Sequence, residues 1–140
     1  MIVDTVVRGG TVVNENGRVQ GGVAIKDGRI VAIGDDAALP EARETIDATG
    51  KLVLPGVIDV HVHFRDPGMT EKEDWATGSA AAAVGGVTTV FDMPNTVPPV
   101  DNPENFARKR AEASAKSIVD YGIYGLLGED NLDQLEPLAE

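Results

Sequence analysis

The two histidines of this 140-residue chain, His61 and His63, stand two residues apart. That spacing matters on a β-strand. Alternate side chains face the same way, so Asp59, His61, His63 and Arg65 share a face wherever strand geometry persists. Two neutral imidazoles at the end of a strand can hold one metal ion between them. No cysteine is present, so a metal here must be held by nitrogen and oxygen, and thiolate sites and disulfides are excluded. Arg65 offers a planar fork for a carboxylate, and Asn95 lies at the corresponding point after the next apolar run. Each residue also has a plainer reading. His-x-His is equally the mark of two hydrogen-bonded histidines, Arg65 of a surface salt bridge with Asp66 or Glu73, and Asn95 of a turn after Pro94.

Positioning these residues requires strands and helices in a particular order. Val57-Ile58-Asp59-Val60 reads as a buried strand whose C-terminal end carries the histidines, the place where parallel α/β folds keep their active sites. A helix is predicted to start at Thr70, with Glu73 completing a capping box, and to run through Trp75 and Ala80–Ala83 to Gly85-Gly86, which can end it in the left-handed conformation. Val87 to Phe91 reads as a second buried strand. Asn102 and Pro103 start a second helix that reaches about Ser117, Ile118 to Leu127 holds a third strand, and Asn131 caps a further helix that Pro137 would disturb. Strand starts near 57, 87 and 119 are spaced by about one βαβ unit, roughly 30 residues, so the strands should be parallel with helical crossovers.

Residues 1–54 have a different grammar. Short β-branched runs alternate with Gly9-Gly10, Asn16-Gly17 and Asp27-Gly28, and further strands flank Thr49-Gly50, as expected of a small antiparallel sheet without chemistry. The domain boundary is placed at Leu54-Pro55. With 12 Lys+Arg against 23 Asp+Glu, the net charge of −11 opposes binding to nucleic acid or anionic membrane surfaces. The N-terminal apolar run is too short for a signal peptide and no span reaches membrane length, so a cytoplasmic location is expected.

A long composite motif sharpens the chemistry: Pro55-Gly56-Val57-Ile58-Asp59-Val60-His61-Val62-His63-Phe64-Arg65-Asp66-Pro67-Gly68, then Lys72-Glu73-Asp74, Gly85-Gly86-Val87-Thr88-Thr89-Val90 and Asp92-Met93-Pro94-Asn95-Thr96. It resembles the dihydroorotase branch of the amidohydrolase superfamily. The resemblance implies an α/β fold in which 1–54 contribute to a small β-sandwich and 55–140 form the first three β/α units of a (β/α)8 TIM-like barrel. It implies one or two zinc ions, with His61 and His63 as ligands of the more buried one, and a substrate carboxylate held by Arg65 and Asn95 with His63 close by. Water activated by the metal would open a cyclic amide, and the reverse reaction would close carbamoyl-aspartate to dihydroorotate in pyrimidine synthesis.

Related cyclic amidases differ at the same positions. Hydantoinases and dihydropyrimidinases resemble the chain in His-x-His but generally lack the Arg and the Met-Pro-Asn-Thr run, and allantoinases often carry a polar uncharged residue in place of Arg65. Non-catalytic amidohydrolase-like scaffolds are a further alternative. A complete barrel needs about 250 residues, so the chain is expected to be the N-terminal part of a longer, homo-oligomeric enzyme and to be inactive alone. Its bridging ligand, later histidines and catalytic aspartate are expected beyond Glu140.

Overall fold

The computed structural model describes residues 2–139 and divides the chain into two compact units, Met1–Pro55 and Gly56–Glu140. The first unit is one five-stranded sheet built from β1 (Val3–Asn14), β2 (Gly17–Lys26), β3 (Arg29–Gly34), β4 (Ala42–Asp47) and the short β5 (Leu52–Val53). Its order is β3-β2-β1-β4, with β5 also on β1. The β1–β2 and β2–β3 pairs are antiparallel, but β4 and β5 run parallel to β1, so the expected antiparallel sheet is a mixed one. The segment between β3 and β4 carries the chain back before β4 begins, and β4 then runs in the direction of β1.

Turn chemistry accounts for most of this unit. Asp27 and Gly28, with φ of 52° and 70°, form the two-residue hairpin between β2 and β3. The first hairpin turns one residue earlier than predicted, on Glu15-Asn16, because Asn14 already pairs with Gly17. Gly9-Gly10 is not a turn. It lies within β1, where the register with β2 shifts between Val7 and Gly10, a bulge that bends the strand without ending it. Val3, Val6, Ala24 and Leu39 form the buried cluster.

The second unit alternates strand and helix: β6 (Val57–Val62), α1 (Trp75–Val84), β7 (Val87–Asp92), α2 (Pro103–Lys116), β8 (Asp120–Ile123), a 3-10 segment Glu129–Gln134 and α3 (Leu135–Ala139). The three strands form a parallel sheet in the order β6-β7-β8, as the strand spacing predicts. Among the described residues no helix is long and apolar enough to cross a membrane. Among the described residues β6 pairs on one side alone, with β7, so the burial expected of it is not complete within this chain. Val57, Ile58 and Val60 are exposed.

Helix α2 begins as predicted, with the Asn102 side chain accepting from the Asn105 amide at 2.9 Å and Pro103 in the first turn. Helix α1 begins later than Thr70. Asp74 is the cap, accepting from the amide and hydroxyl of Thr77 at 2.8 and 2.9 Å, while 70–72 form a turn. The start is set by Trp75, which is fully buried, meets the Phe64 ring edge to face at 5.0 Å and donates from Nε1 to the Asp66 carbonyl. At the far end Gly85 and Gly86 donate to Ala81 and Ala83, and Gly86 takes φ 82°. Strand β8 stops at Ile123, short of Leu127: the Tyr124 amide makes the last bond to β7, on the Asp92 carbonyl, and the Leu126 amide then turns to the Val100 carbonyl. Asn131 is no helix cap either. It accepts from Gly128 and donates to the carbonyls of Asp101 and Leu126, tying two loops.

Phe64, Trp75, Val90 and Ala113 make the core of this unit, and Gly78 of α1 faces it. In an exposed helix Gly78→Ala would gain about 1 kcal/mol of propensity. Here the new Cβ would lie 2.6 Å from the Phe64 ring, which Trp75 blocks from behind. We expect a net destabilisation of about 1–3 kcal/mol from overpacking, read as a lower urea midpoint. A raised midpoint would show that the ring is free to move.

Candidate active site at the ends of two parallel strands

The site residues lie on the loops that leave β6 and β7. Val62 pairs with Asp92 as the last rung between these strands, and the Met93 amide donates to the Val62 carbonyl at 2.9 Å. His63 therefore emerges next to the Met93–Thr96 loop. Its Nδ1 lies 2.9 Å from Asn95 Oδ1, and the His61 and His63 rings meet edge to face with centroids 5.2 Å apart. With the Asn95 amide in this orientation, Nδ1 of His63 carries the proton and donates. Nε2 then keeps its lone pair for another partner. Asp59, on the same strand, is turned onto its own backbone and accepts from the His61 amide at 3.1 Å.

Arg65 departs from the expected strand alternation. Strand β6 ends at Val62, and Arg65 adopts a left-handed conformation with φ 63°, so it no longer shares the strand face of Asp59 and His61. The Met69 amide donates to its carbonyl, closing the loop. The salt bridge with Asp66 or Glu73 is not formed. Glu73 accepts from the Asp74 amide and the Thr77 hydroxyl, and Asp66 is bound by Lys116. The Arg65 guanidinium has no ion-pair or hydrogen-bond partner among the described residues.

Two buried carboxylates hold these loops, and neither stood out in the sequence. Asp92 is completely buried. Its Oδ1 accepts from the Phe64 amide at 2.7 Å, and its Oδ2 lies 2.5 Å from Nζ of Lys109, a lysine with no exposed side-chain surface. Lys109 also donates to the Met93 carbonyl at 2.6 Å. Asp66, nearly as buried, takes Lys116 at 2.8 Å, and Lys116 also reaches Glu112 at 2.7 Å. Burial pulls the Lys109 ammonium below the usual lysine range against the pull of Asp92. The half-exposed Lys116 is held above that range by the Asp66 and Glu112 carboxylates. The signal that points to Lys109 is its helical spacing, since Lys109, Ala113 and Lys116 recur on one face of α2.

The two loops are also laced to each other. The Val97 amide donates to the Pro67 carbonyl, and Gly68 (φ 94°) passes so close that a Cβ there would lie 2.2 Å from the Val97 carbonyl oxygen. The arrangement presents two imidazoles, an amide and an unpaired guanidinium. Among the described residues no group of three His, Cys, Asp or Glu gathers around a possible metal position.

Comparison with known proteins identifies the family. The profile of the dihydro-orotase-like family matches residues 50–135. An allantoinase of Solibacter usitatus is 51% identical over 138 residues, covering 98% of this chain and 30% of the relative. A dihydroorotase of Methanosarcina mazei is 50% identical over 116 residues, covering 83% of this chain and 25% of the relative. The fold is similar to that of L-hydantoinase (dihydropyrimidinase) from Arthrobacter aurescens, with a TM-score of 0.92 and 36% identity over 98% of this chain and 31% of that one. The chain thus spans less than a third of the length of each of these proteins. By the matched profile and by identities of this size, the chain belongs to the dihydro-orotase-like family, the amidohydrolase branch that its composite motif resembles.

Proposed function

We propose that the chain supplies the first metal ligands and the carboxylate contacts of a cyclic amidase, with the interconversion of dihydroorotate and N-carbamoyl-aspartate as its reaction. The observation that carries this reading is the His63–Asn95 hydrogen bond beside an Arg65 whose neighbouring carboxylates are already engaged. In this reading 55–140 form the first three β/α units of a (β/α)8 barrel, supported by three parallel strands with helical crossovers. Residues 1–54 contribute to a β-sandwich.

The donor set fits part of a zinc site. Two imidazoles are suitable ligands, and the Asn95 bond leaves the His63 Nε2 lone pair available. A catalytic zinc takes three protein ligands and keeps a position open, so His61 and His63 are two members of a larger set. A bound divalent metal lowers the pKa of water toward neutrality and polarises the amide carbonyl.

The residues of the chain do the rest of the orienting. Asn95 accepts from His63 through Oδ1, which leaves both Nδ2 protons to meet a substrate carboxylate. Arg65 adds a planar, permanently charged fork suited to the same carboxylate. Dihydroorotate has such a group and allantoin does not, and for that reason Arg65 favours the dihydroorotase reading over the allantoinase one. The allantoinase reading draws its support from the Solibacter usitatus relative.

Zinc titration of the complete enzyme checks the metal part. His61→Ala and His63→Ala should each abolish measurable binding, and unchanged affinity would remove that residue from the ligand set. Asn95→Ala should lower zinc affinity about 10- to 100-fold, because the orienting partner of His63 is lost. Kinetics of the complete enzyme check the substrate. Arg65→Lys should raise KM for dihydroorotate about 10-fold or more, as a bidentate charged contact becomes a point charge. Unchanged dihydroorotate kinetics together with allantoin hydrolysis would establish the allantoinase reading instead.

A further inference from the structure

We propose that the sealed Asp92–Lys109 pair is a positioning device for this site, holding the exits of β6 and β7 so that His63 and Asn95 meet. The inference rests on the reading of the site given above. Asp92 Oδ1 grips the amide of Phe64, the residue directly after His63, at 2.7 Å. Lys109 Nζ grips the carbonyl of Met93, two residues before Asn95, at 2.6 Å. The two side chains are joined at 2.5 Å, and neither has any exposed surface. A continuous set of polar contacts therefore runs from the backbone beside one site residue to the backbone near the other.

Both groups are shut off from solvent and so act through His63 and Asn95; they are positioning residues. Their chemistry suits that role better than a stabilising one. A well-packed apolar pair of similar volume is often as stable as a buried ion pair or more so. What an apolar pair lacks is direction, since only a hydrogen bond fixes where an amide and a carbonyl point. Lys109 also stands on the inward face of α2, so the helix sets the depth at which its ammonium meets Met93. The Phe64 ring, packed on Trp75, fixes the same backbone from the other side.

The test compares the wild-type 140-residue chain with the double variant Asp92→Leu/Lys109→Met, which removes both charges and every side-chain hydrogen bond of the pair. Imidazole 15N spectra of the metal-free proteins report the His63 tautomer, zinc titration reports affinity, and thermal melting reports the fold. In the wild type His63 should be a single Nδ1–H tautomer. In the double variant the tautomers should mix and zinc affinity should fall about 10- to 100-fold, with the cooperative melt retained. A folded double variant with the wild-type tautomer and wild-type zinc affinity would overturn the proposal. If the wild-type chain binds no zinc, its two histidines alone do not hold the ion, and the tautomer alone decides the positioning role. Should the double variant not fold, hydrogen exchange of the wild type decides. A Phe64 amide as slow as the Val90 amide of β7 supports the clamp, and one as fast as exposed loop amides overturns it.

Discussion

A carboxylate removed from water has to be compensated on every side, and Asp92 imposes that condition on the whole second unit. Its two oxygens are met by the Phe64 amide and the Lys109 ammonium, so the exits of β6 and β7 and the inner face of α2 are tied to one buried charge. Displacing any one of them leaves an ion unpaired in the interior, which is costly where loosening an apolar contact is not. The two loops that carry His63 and Asn95 are therefore tied to the sheet as part of its packed interior.

Helix α2 repeats the device about two turns further on. Lys116 holds Asp66 as Lys109 holds Asp92, but nearer to solvent and shared with Glu112. The two lysines are shifted in opposite directions because burial dominates at one and carboxylate attraction at the other. The deeper pair defines geometry at the strand ends. The shallower one fastens the Asp66 loop, whose carbonyl also receives Trp75, so the start of α1 and the end of α2 converge on the same loop.

Local signals were legible where they depend on a few adjacent residues. The Asp27-Gly28 hairpin, the Asn102-Pro103 helix start and the Gly85-Gly86 helix end follow from backbone chemistry and stand where the sequence places them. His63 and Asn95 were also legible, since both fall at strand ends in a βαβ rhythm, and the structure brings them into contact. Arg65 was misplaced because a non-glycine residue at positive φ carries no strong sequence mark. The sequence offers Thr70 as the helix cap, and the structure instead starts α1 on Asp74, next to the buried Trp75. The apolar run of β6 could not announce that, among the described residues, it pairs on one side alone. Lys109 was hidden for a different reason: a charge on a helix reads as solvent-facing unless its buried counter-ion is known.

The lacing of the two site loops is made mainly from main-chain atoms: the Val97 amide on the Pro67 carbonyl, with Gly68 passing beneath. Such bonds do not depend on the identity of the side chains around them. A frame held this way tolerates drift in the side chains on the two loops while keeping the backbone that carries them. The chain's similarity to proteins named allantoinase, dihydroorotase and hydantoinase puts three names on one family of frames.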